Sequence, residues 1–115
     1  MQREQLKQRI LRELSKFISY LKELISENRF DDGEALEISL LVIKNGPESL
    51  SDQQWYVFLE NGILRDKYDK YVDKCERCSE HIPWSNMYSS IFINKDYLCA
   101  NCSYFENKVT FNNYL

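Results

Sequence analysis

The four cysteines constrain the fold of this chain more than any other feature. They are Cys75, Cys78, Cys99 and Cys102, arranged as two CxxC pairs separated by twenty residues. Two residues between paired cysteines let a tight turn direct both sulfurs at one cation, and two such pairs supply a closed tetrahedral shell for Zn²⁺. The array therefore predicts one structural zinc ion in the last third of the chain. A closed shell leaves no coordination position for a substrate.

Other uses of the cysteines remain as alternatives. Two disulfides would suit a secreted chain, but the charged, Gln-rich stretch after Met1 lacks an apolar signal region. A rubredoxin-like iron site uses similar sulfur geometry, but neither CxxC pair contains the Gly or Pro usual there. His81, the only histidine, could replace one sulfur, although four thiolates already complete the shell. Structural zinc is the favoured interpretation.

Size and hydropathy limit the classes of protein to which this chain can belong. The chain has 115 residues, of which 43% are hydrophobic, and this is enough for a real core. No apolar run approaches the roughly 18–20 residues that span a bilayer. Reduced thiolates belong in a reducing compartment. We therefore expect a soluble cytoplasmic protein with no membrane partner.

Basic residues are concentrated at the end of the chain that lacks the cysteines. Residues 1–29 carry seven Lys and Arg against four Asp and Glu, whereas residues 75–115 carry three against four. Affinity for nucleic acid depends largely on neutralising phosphates, so this zinc module is poorly equipped to bind it. If nucleic acid is the partner, the candidate residues are a basic strip on the first helix, Arg9, Arg12 and Lys16.

The first 62 residues predict a helical domain with three helices, the first one long. An apolar stripe at spacings of three and four predicts a helix from about Arg3 to Asn28. Its members are Leu6, Ile10, Leu14, Phe17, Leu21 and Leu24. The stripe can pack on its own domain in a monomer or pair with a second copy in a homodimer.

Two shorter helices follow. The second is expected near Glu34–Lys44, with Asp31 or Asp32 as its cap. Ser51 and Gln54 form a capping-box pattern that opens the third helix, which we expect to end at Asn61-Gly62.

The remainder predicts a β-containing zinc ribbon. Met87–Ile93 and Tyr97–Cys99 are interpreted as two strands around a turn at Asn94-Lys95-Asp96. The predicted fold class is therefore α+β. Its parts are a helical domain over 1–62, a charged connector over 63–74, and a four-cysteine zinc ribbon with a β-hairpin and a docked tail over 75–115.

The segment CERCSEHIPWSNMYSSIFINKDYLCANC resembles the zinc finger of the DksA/TraR type. The shared features are both CxxC pairs, Ile82-Pro83 after the first pair, and Leu98 directly before the second. Ser79 stands where that family usually has Gly, and the loop between the pairs is longer. The resemblance implies a modulator that inserts a helical element with acidic residues into the secondary channel of RNA polymerase. Asp31 and Asp32 are the residues comparable with those acids.

A broader resemblance covers about residues 50–102. The phrase LSDQQWYVF, followed by CxxC, IPWSxM and the second CxxC, is similar to small uncharacterised zinc-ribbon proteins of phages and bacterial mobile elements. This likeness implies a prokaryotic or phage context and no established activity.

The residue set argues against an enzyme. General acid–base or nucleophilic chemistry usually needs a positioned His, Lys or Cys beside a partner, and the chain offers one His and a set of thiols committed to metal. We therefore expect a non-enzymatic regulator or adaptor that binds a host protein, a transcription or defence component. Its candidate contact residues are Trp84, Tyr88, Asp31 and Asp32. The alternatives are a nucleic-acid-binding regulator and an RNA polymerase modulator.

Overall fold

The computed structural model describes the backbone of residues 2–64 and 71–113, and the side chains of residues 3–64 and 71–106. The chain divides into two compact units, Met1–Lys70 and Tyr71–Leu115. The division falls inside the segment 63–74 that the sequence marks as a connector. Residues 65–70 of that segment lie outside the described residues, so their structure stays a prediction.

The N-terminal unit is built from four helices. They are α1 (Gln2–Arg12), α2 (Leu14–Ser26), α3 (Glu34–Asn45) and α4 (Asp52–Val57). A 3₁₀ turn, Pro47–Ser49, precedes α4, and a π-helical segment, Phe58–Ile63, continues it.

The expectation of one long first helix is wrong, because the helix is interrupted at Glu13. This residue has φ −118° and ψ 37°, outside the helical region. The hydrogen-bond pattern still crosses the break, since Glu13 N–H donates to the carbonyl of Arg9 and Phe17 N–H donates to that of Glu13, both at 3.0 Å. The apolar stripe is buried in the core of its own unit at Leu6, Ile10, Phe17, Leu21 and Leu24.

The second helix is confirmed, but its cap is not. Gly33 occupies the N-cap position of α3 with φ 146° and ψ −166°, and no side chain there caps the helix through a hydrogen bond. The N-cap residue is thus Gly33 and neither Asp31 nor Asp32, so the predicted N-cap position is wrong. The helix therefore begins after a residue whose backbone conformation glycine adopts more readily than any other residue.

The capping box of the third helix is confirmed. Gln54 N–H donates to Ser51 Oγ at 3.2 Å, and Ser51 N–H donates to Gln54 Oε1 at 2.9 Å. The helix does not end at Asn61-Gly62, because its π-helical continuation reaches Ile63 and Leu64 N–H bonds the carbonyl of Leu59. Glycine at position 62 leaves room for the Phe30 ring, since a Cβ there would lie 3.3 Å from a carbon of that ring.

The expected α+β class and β-hairpin are wrong. The C-terminal unit contains α5 (Trp84–Tyr88), a π-helical segment (Ser89–Ile93) and α6 (Ala100–Asn113). Across residues 2–64 and 71–113 there is no β-strand, and the pairing Lys74–His81 is an isolated antiparallel bridge.

A helical stripe explains why the expected first strand is a helix. Trp84, Met87, Tyr88 and Ile91 are buried, at spacings of i, i+3, i+4 and i+7. This period outweighs the β-branched and aromatic composition that favoured a strand. None of the helices in the described part of the chain has the length and apolarity to cross a membrane.

Candidate metal centre

The four cysteine sulfurs converge on one point. All lie within 4.8 Å of one another, and the Sγ atoms of Cys78 and Cys99 are 3.8 Å apart. A tetrahedral tetrathiolate site with Zn–S bonds near 2.3 Å has sulfur–sulfur edges of about 3.8 Å. A disulfide would need about 2.05 Å, and all four thiols are free. The prediction that these residues form one cluster able to hold a metal ion is confirmed.

The first pair of ligands is held by a tight turn, the Cys75–Glu80 turn. Cys75 N–H donates to the carbonyl of Glu80 at 2.8 Å, and Ser79 N–H donates to the carbonyl of Cys75 at 3.0 Å. Ser79 closes the turn with φ +65°, in the left-handed region. This geometry brings Cys75 and Cys78 to the same side of the turn.

The second pair is held by the start of a helix. Cys99 directly precedes α6 and Cys102 lies in its first turn, where Ser103 N–H donates to the carbonyl of Cys99 at 2.9 Å. A ribbon with two equivalent hairpin turns is therefore the wrong description.

Two contacts join the separate ligand pairs. Glu76 N–H, inside the first turn, donates to the carbonyl of Tyr97, two residues before Cys99. The guanidinium of Arg77 lies 4.3 Å from the centroid of the Phe105 ring on α6 and 3.4 Å from the carboxylate of Glu106. The first turn is thus fixed against both ends of the second pair.

The pKa values of Cys75, Cys78 and Cys102 are shifted in different directions. Burial alone would raise the pKa of Cys75, but backbone N–H groups of Cys78, Cys99 and Arg77 donate to its sulfur and lower the pKa to about 6. Burial and the neighbouring sulfurs raise the pKa of Cys102 to about 12. The N–H of Glu80 would lower the pKa of Cys78, but desolvation and the Cys75 thiol raise it. Clustering therefore favours the thiolate of Cys75 over the thiolates of Cys78 and Cys102, as expected of neighbouring ionisable groups that interact.

His81 does not join the cluster. Its Nδ1 lies 3.1 Å from Asp73 Oδ1 and 3.2 Å from the carbonyl of Asp73. Both neighbours are acceptors, so Nδ1 carries the proton in this arrangement. The expectation that four sulfurs complete the shell without the histidine agrees with this placement.

The four residues predicted to contact a partner fall into two groups. Trp84 and Tyr88 are buried, with 2% and 7% of their surface exposed, so both serve the core of the C-terminal unit instead of a contact surface. Asp31 and Asp32 are exposed on the turn between α2 and α3.

The three residues of the predicted basic strip differ in their exposure to solvent. Arg9 is only 4% exposed and its Nε lies 3.4 Å from Glu13 Oε1, whereas Arg12 and Lys16 are exposed. Two other basic residues of α1 cover aromatic rings of α4, Arg3 over Tyr56 and Lys7 over Trp55. Arg3, Lys7 and Arg9 thus contact side chains of their own unit.

The residues that flank the second cysteine pair were not predicted to have a role in the metal centre. Asp96 Oδ1 accepts a hydrogen bond from Leu98 N–H, an Asx-turn. The signal in the sequence was Asp96, which lies two residues before Leu98 and three residues before Cys99. The sequence pattern was interpreted there only as a hairpin turn.

Comparison with known proteins gave no match: no family model, no curated protein and no solved structure is significantly similar to this chain.

Proposed function

We propose that this protein is a non-enzymatic adaptor whose C-terminal unit is stabilised by one structural Zn²⁺ and which binds another protein. The observation that carries the proposal is the convergence of four free thiols at the spacing of a tetrahedral tetrathiolate site. Such a shell is filled by the protein alone, so the ion stabilises a surface and does not activate a substrate. Thiolate ligands also favour zinc over the harder cations. A reducing, cytoplasmic setting follows from the need for free thiols.

Native mass spectrometry tests the metal. The full chain should carry one zinc equivalent, and Cys75→Ser or Cys99→Ser should lose it. Ser85→Gly, an exposed substitution on α5, is the matched control and should retain the ion. Retention of one zinc equivalent by either cysteine variant would show that the ligands are misassigned.

The partner surface is proposed to include exposed apolar side chains of the C-terminal unit. Ile93 and Tyr104 have 64% and 68% of their surface exposed. Tyrosine is among the residues favoured at binding hot spots, and exposed apolar side chains gain most from being covered. The phage or mobile-element context implied by the sequence resemblance suggests a bacterial host protein.

Capture from a nuclease-treated bacterial lysate tests this surface. We expect the zinc-loaded protein to retain a stoichiometric protein partner, and a double variant Ile93→Ser/Tyr104→Ser to lose it. Leu40→Ser removes an apolar residue of the other unit that is 49% exposed, and this variant should retain the partner. Recovery of nucleic acid alone from an untreated lysate would reject the adaptor in favour of a nucleic-acid-binding regulator.

The buried apolar stripe of α1 and α2 supports a monomer over a homodimer. Leu6, Ile10, Phe17, Leu21 and Leu24 are buried within their own unit, so these residues are not available to pair with a second copy.

A second candidate function is modulation of RNA polymerase. It is favoured by the exposure of Asp31 and Asp32 on a turn between two helices. The double variant Asp31→Asn/Asp32→Asn should then lose an effect on transcription by a responsive polymerase. An unchanged effect would reject this candidate and leave the adaptor proposal intact.

A further inference from the structure

Two buried serines of the C-terminal unit form part of one polar network beside the second ligand pair. Ser90 and Ser103 are 2% and 6% exposed. A buried hydroxyl without a partner costs free energy, so such groups are normally hydrogen-bonded. Ser90 bonds to Leu98, the residue before Cys99, and Ser103, the residue after Cys102, bonds to Asp96.

The carboxylate of Asp96 is the centre of this network. Its Oδ1 accepts from Leu98 N–H at 3.1 Å, and its Oδ2 accepts from Ser103 Oγ–H at 2.8 Å. Leu98 directly precedes Cys99, and Ser103 directly follows Cys102. One carboxylate therefore brackets the second CxxC pair from both ends.

The network is anchored on the preceding helical segment. Ser90 Oγ–H donates to the carbonyl of Leu98, and Asn94 Nδ2 donates to Ser103 Oγ at 3.4 Å. The carbonyl of Ser90 accepts from the N–H groups of both Asp96 and Tyr97, at 3.1 and 3.3 Å. These bonds fix the turn between Ile93 and α6 relative to the π-helical segment.

The turn needs such support because its backbone is strained. Lys95 and Tyr97, on either side of Asp96, both have positive φ, +55° and +57°. Non-glycine residues adopt this region at a cost of about 1–2 kcal/mol each. The conformation persists only where surrounding contacts determine it.

We infer that Asp96 is a positioning residue of the metal centre, which sets the direction of Cys99 and Cys102 through Leu98 and Ser103. The inference rests on the proposed zinc site and adds to it. Asp96 does not ligate the ion. It holds the first turn of α6 so that both thiolates point at one position before metal binds.

Asp96→Asn tests the inference with almost no change in shape. The amide can keep the bond from Leu98 N–H through its oxygen, but its NH₂ group replaces the oxygen that accepts from Ser103. Partners that orient metal ligands typically contribute about 10–100-fold to metal affinity, and we expect a loss in that range by competition with a chelator. Ser103→Ala should lower the affinity in the same direction. The double variant should lose no more than the larger single loss, because both changes remove the same bond.

Cobalt substitution separates positioning from general stability. Fully Co²⁺-loaded wild type should show the visible bands of a tetrahedral thiolate site, and loaded Asp96→Asn should show shifted or weakened bands. A purely structural residue would leave the spectrum of the loaded site unchanged. Asp73→Asn makes the same chemical change in this unit, at a carboxylate that contacts His81 and lies outside this network, and it should keep the spectrum and an affinity within about twofold.

The outcomes distinguish the two proposals. Wild-type protein that binds neither zinc nor cobalt would overturn the metal site and the role of Asp96 with it. Wild-type binding with equal affinity and spectrum in Asp96→Asn would overturn only the role of Asp96, as would an equal loss in Asp73→Asn. If Asp96→Asn fails to fold, Ser103→Ala decides: an unchanged affinity and spectrum in that variant overturn the inference.

Discussion

Ser79 occupies a backbone position that disfavours its own side chain. With φ +65° it closes the Cys75–Glu80 turn in the left-handed region. A non-glycine residue costs about 1–2 kcal/mol there, and glycine loses about 0.5–1 kcal/mol more backbone entropy on folding. The first effect is larger, so Ser79→Gly should stabilise the zinc-loaded protein by about 0.5–1 kcal/mol, measured by urea unfolding.

Ser85→Gly is the matched control for this substitution. Ser85 is exposed within α5, and glycine in a helix costs about 0.5–1 kcal/mol. We therefore expect the same chemical change to destabilise at position 85. Destabilisation at both positions would show that strain at Ser79 is not relieved by glycine.

Protons on the thiols compete with the metal. The raised pKa values of Cys78 and Cys102 keep these thiols protonated at pH 7, whereas the pKa of Cys75, lowered to about 6, leaves it largely ionised. Zinc binding at pH 7 should therefore release protons from Cys78 and Cys102, and zinc affinity should rise with pH between about 6 and 9. Calorimetry in two buffers of different ionisation enthalpy measures the release. A binding enthalpy that is independent of the buffer would contradict it.

At the scale of elements, α3 depends on the conformation of the residue before it. Gly33 has φ 146° and ψ −166°, a combination almost confined to glycine, and a Cβ there would meet nothing within 4 Å. Gly33→Ala thus isolates the conformational cost, and we expect a loss of about 1–3 kcal/mol in the free energy of unfolding.

Asp32→Ala serves as the control for Gly33→Ala. Asp32 is exposed and makes no capping hydrogen bond at the N-cap position, so its loss should cost less than about 0.5 kcal/mol. A cost near 1 kcal/mol would restore the capping role that the sequence predicted.

Elements defined by local rules were predictable from the sequence, and elements defined by tertiary context were not. The capping box at Ser51 depends on neighbouring residues and was predicted, and the predicted range Glu34–Lys44 differs from the observed α3 by one residue. The segment Met87–Ile93 combines strand-forming residues with a helical stripe, so composition and period conflict. Burial of Trp84 and Ile91 decides between them, and burial is a property of the packed unit.

The metal centre was predictable for a similar reason. Cysteine spacing alone identifies the four residues of the cluster, because the geometry of a CxxC pair is local. The contribution of Asp96 was not predicted, since it requires Leu98 and Ser103 to be brought to one carboxylate by a turn with two positive φ values. The burial of Arg9 likewise depends on packing and removes it from the predicted basic strip.

At the scale of the whole molecule, the two units should respond differently to loss of metal. Structural zinc contributes on the order of 10 kcal/mol to small modules that fold around it. The ligands lie in the unit Tyr71–Leu115, whereas the core of the other unit is built from aliphatic and aromatic side chains such as Phe17 and Phe58. Chelation should therefore unfold α5 and α6 and leave α2 and α3 protected.

Hydrogen exchange on the full chain measures this difference. With a strong chelator, amides of Ser90 and Ser103 should exchange at the rate of unfolded peptide, while those of Leu21 and Val42 retain protection. Re-addition of zinc should restore the first group. Uniform loss of protection across both units would show that they fold as one.

The two CxxC pairs look alike in the sequence but follow different geometric rules. In the first pair the two intervening residues span a turn, and in the second they complete the opening turn of α6. An alanine inserted between Asn101 and Cys102 would rotate Cys102 by about 100° around the helix axis and carry its sulfur away from the cluster. An alanine inserted between Glu76 and Arg77 would lengthen a loop whose ends, Cys75 and Glu80, stay bonded to each other. Identical motifs in one chain thus differ in their tolerance of insertions, with the stricter limit on the helical pair.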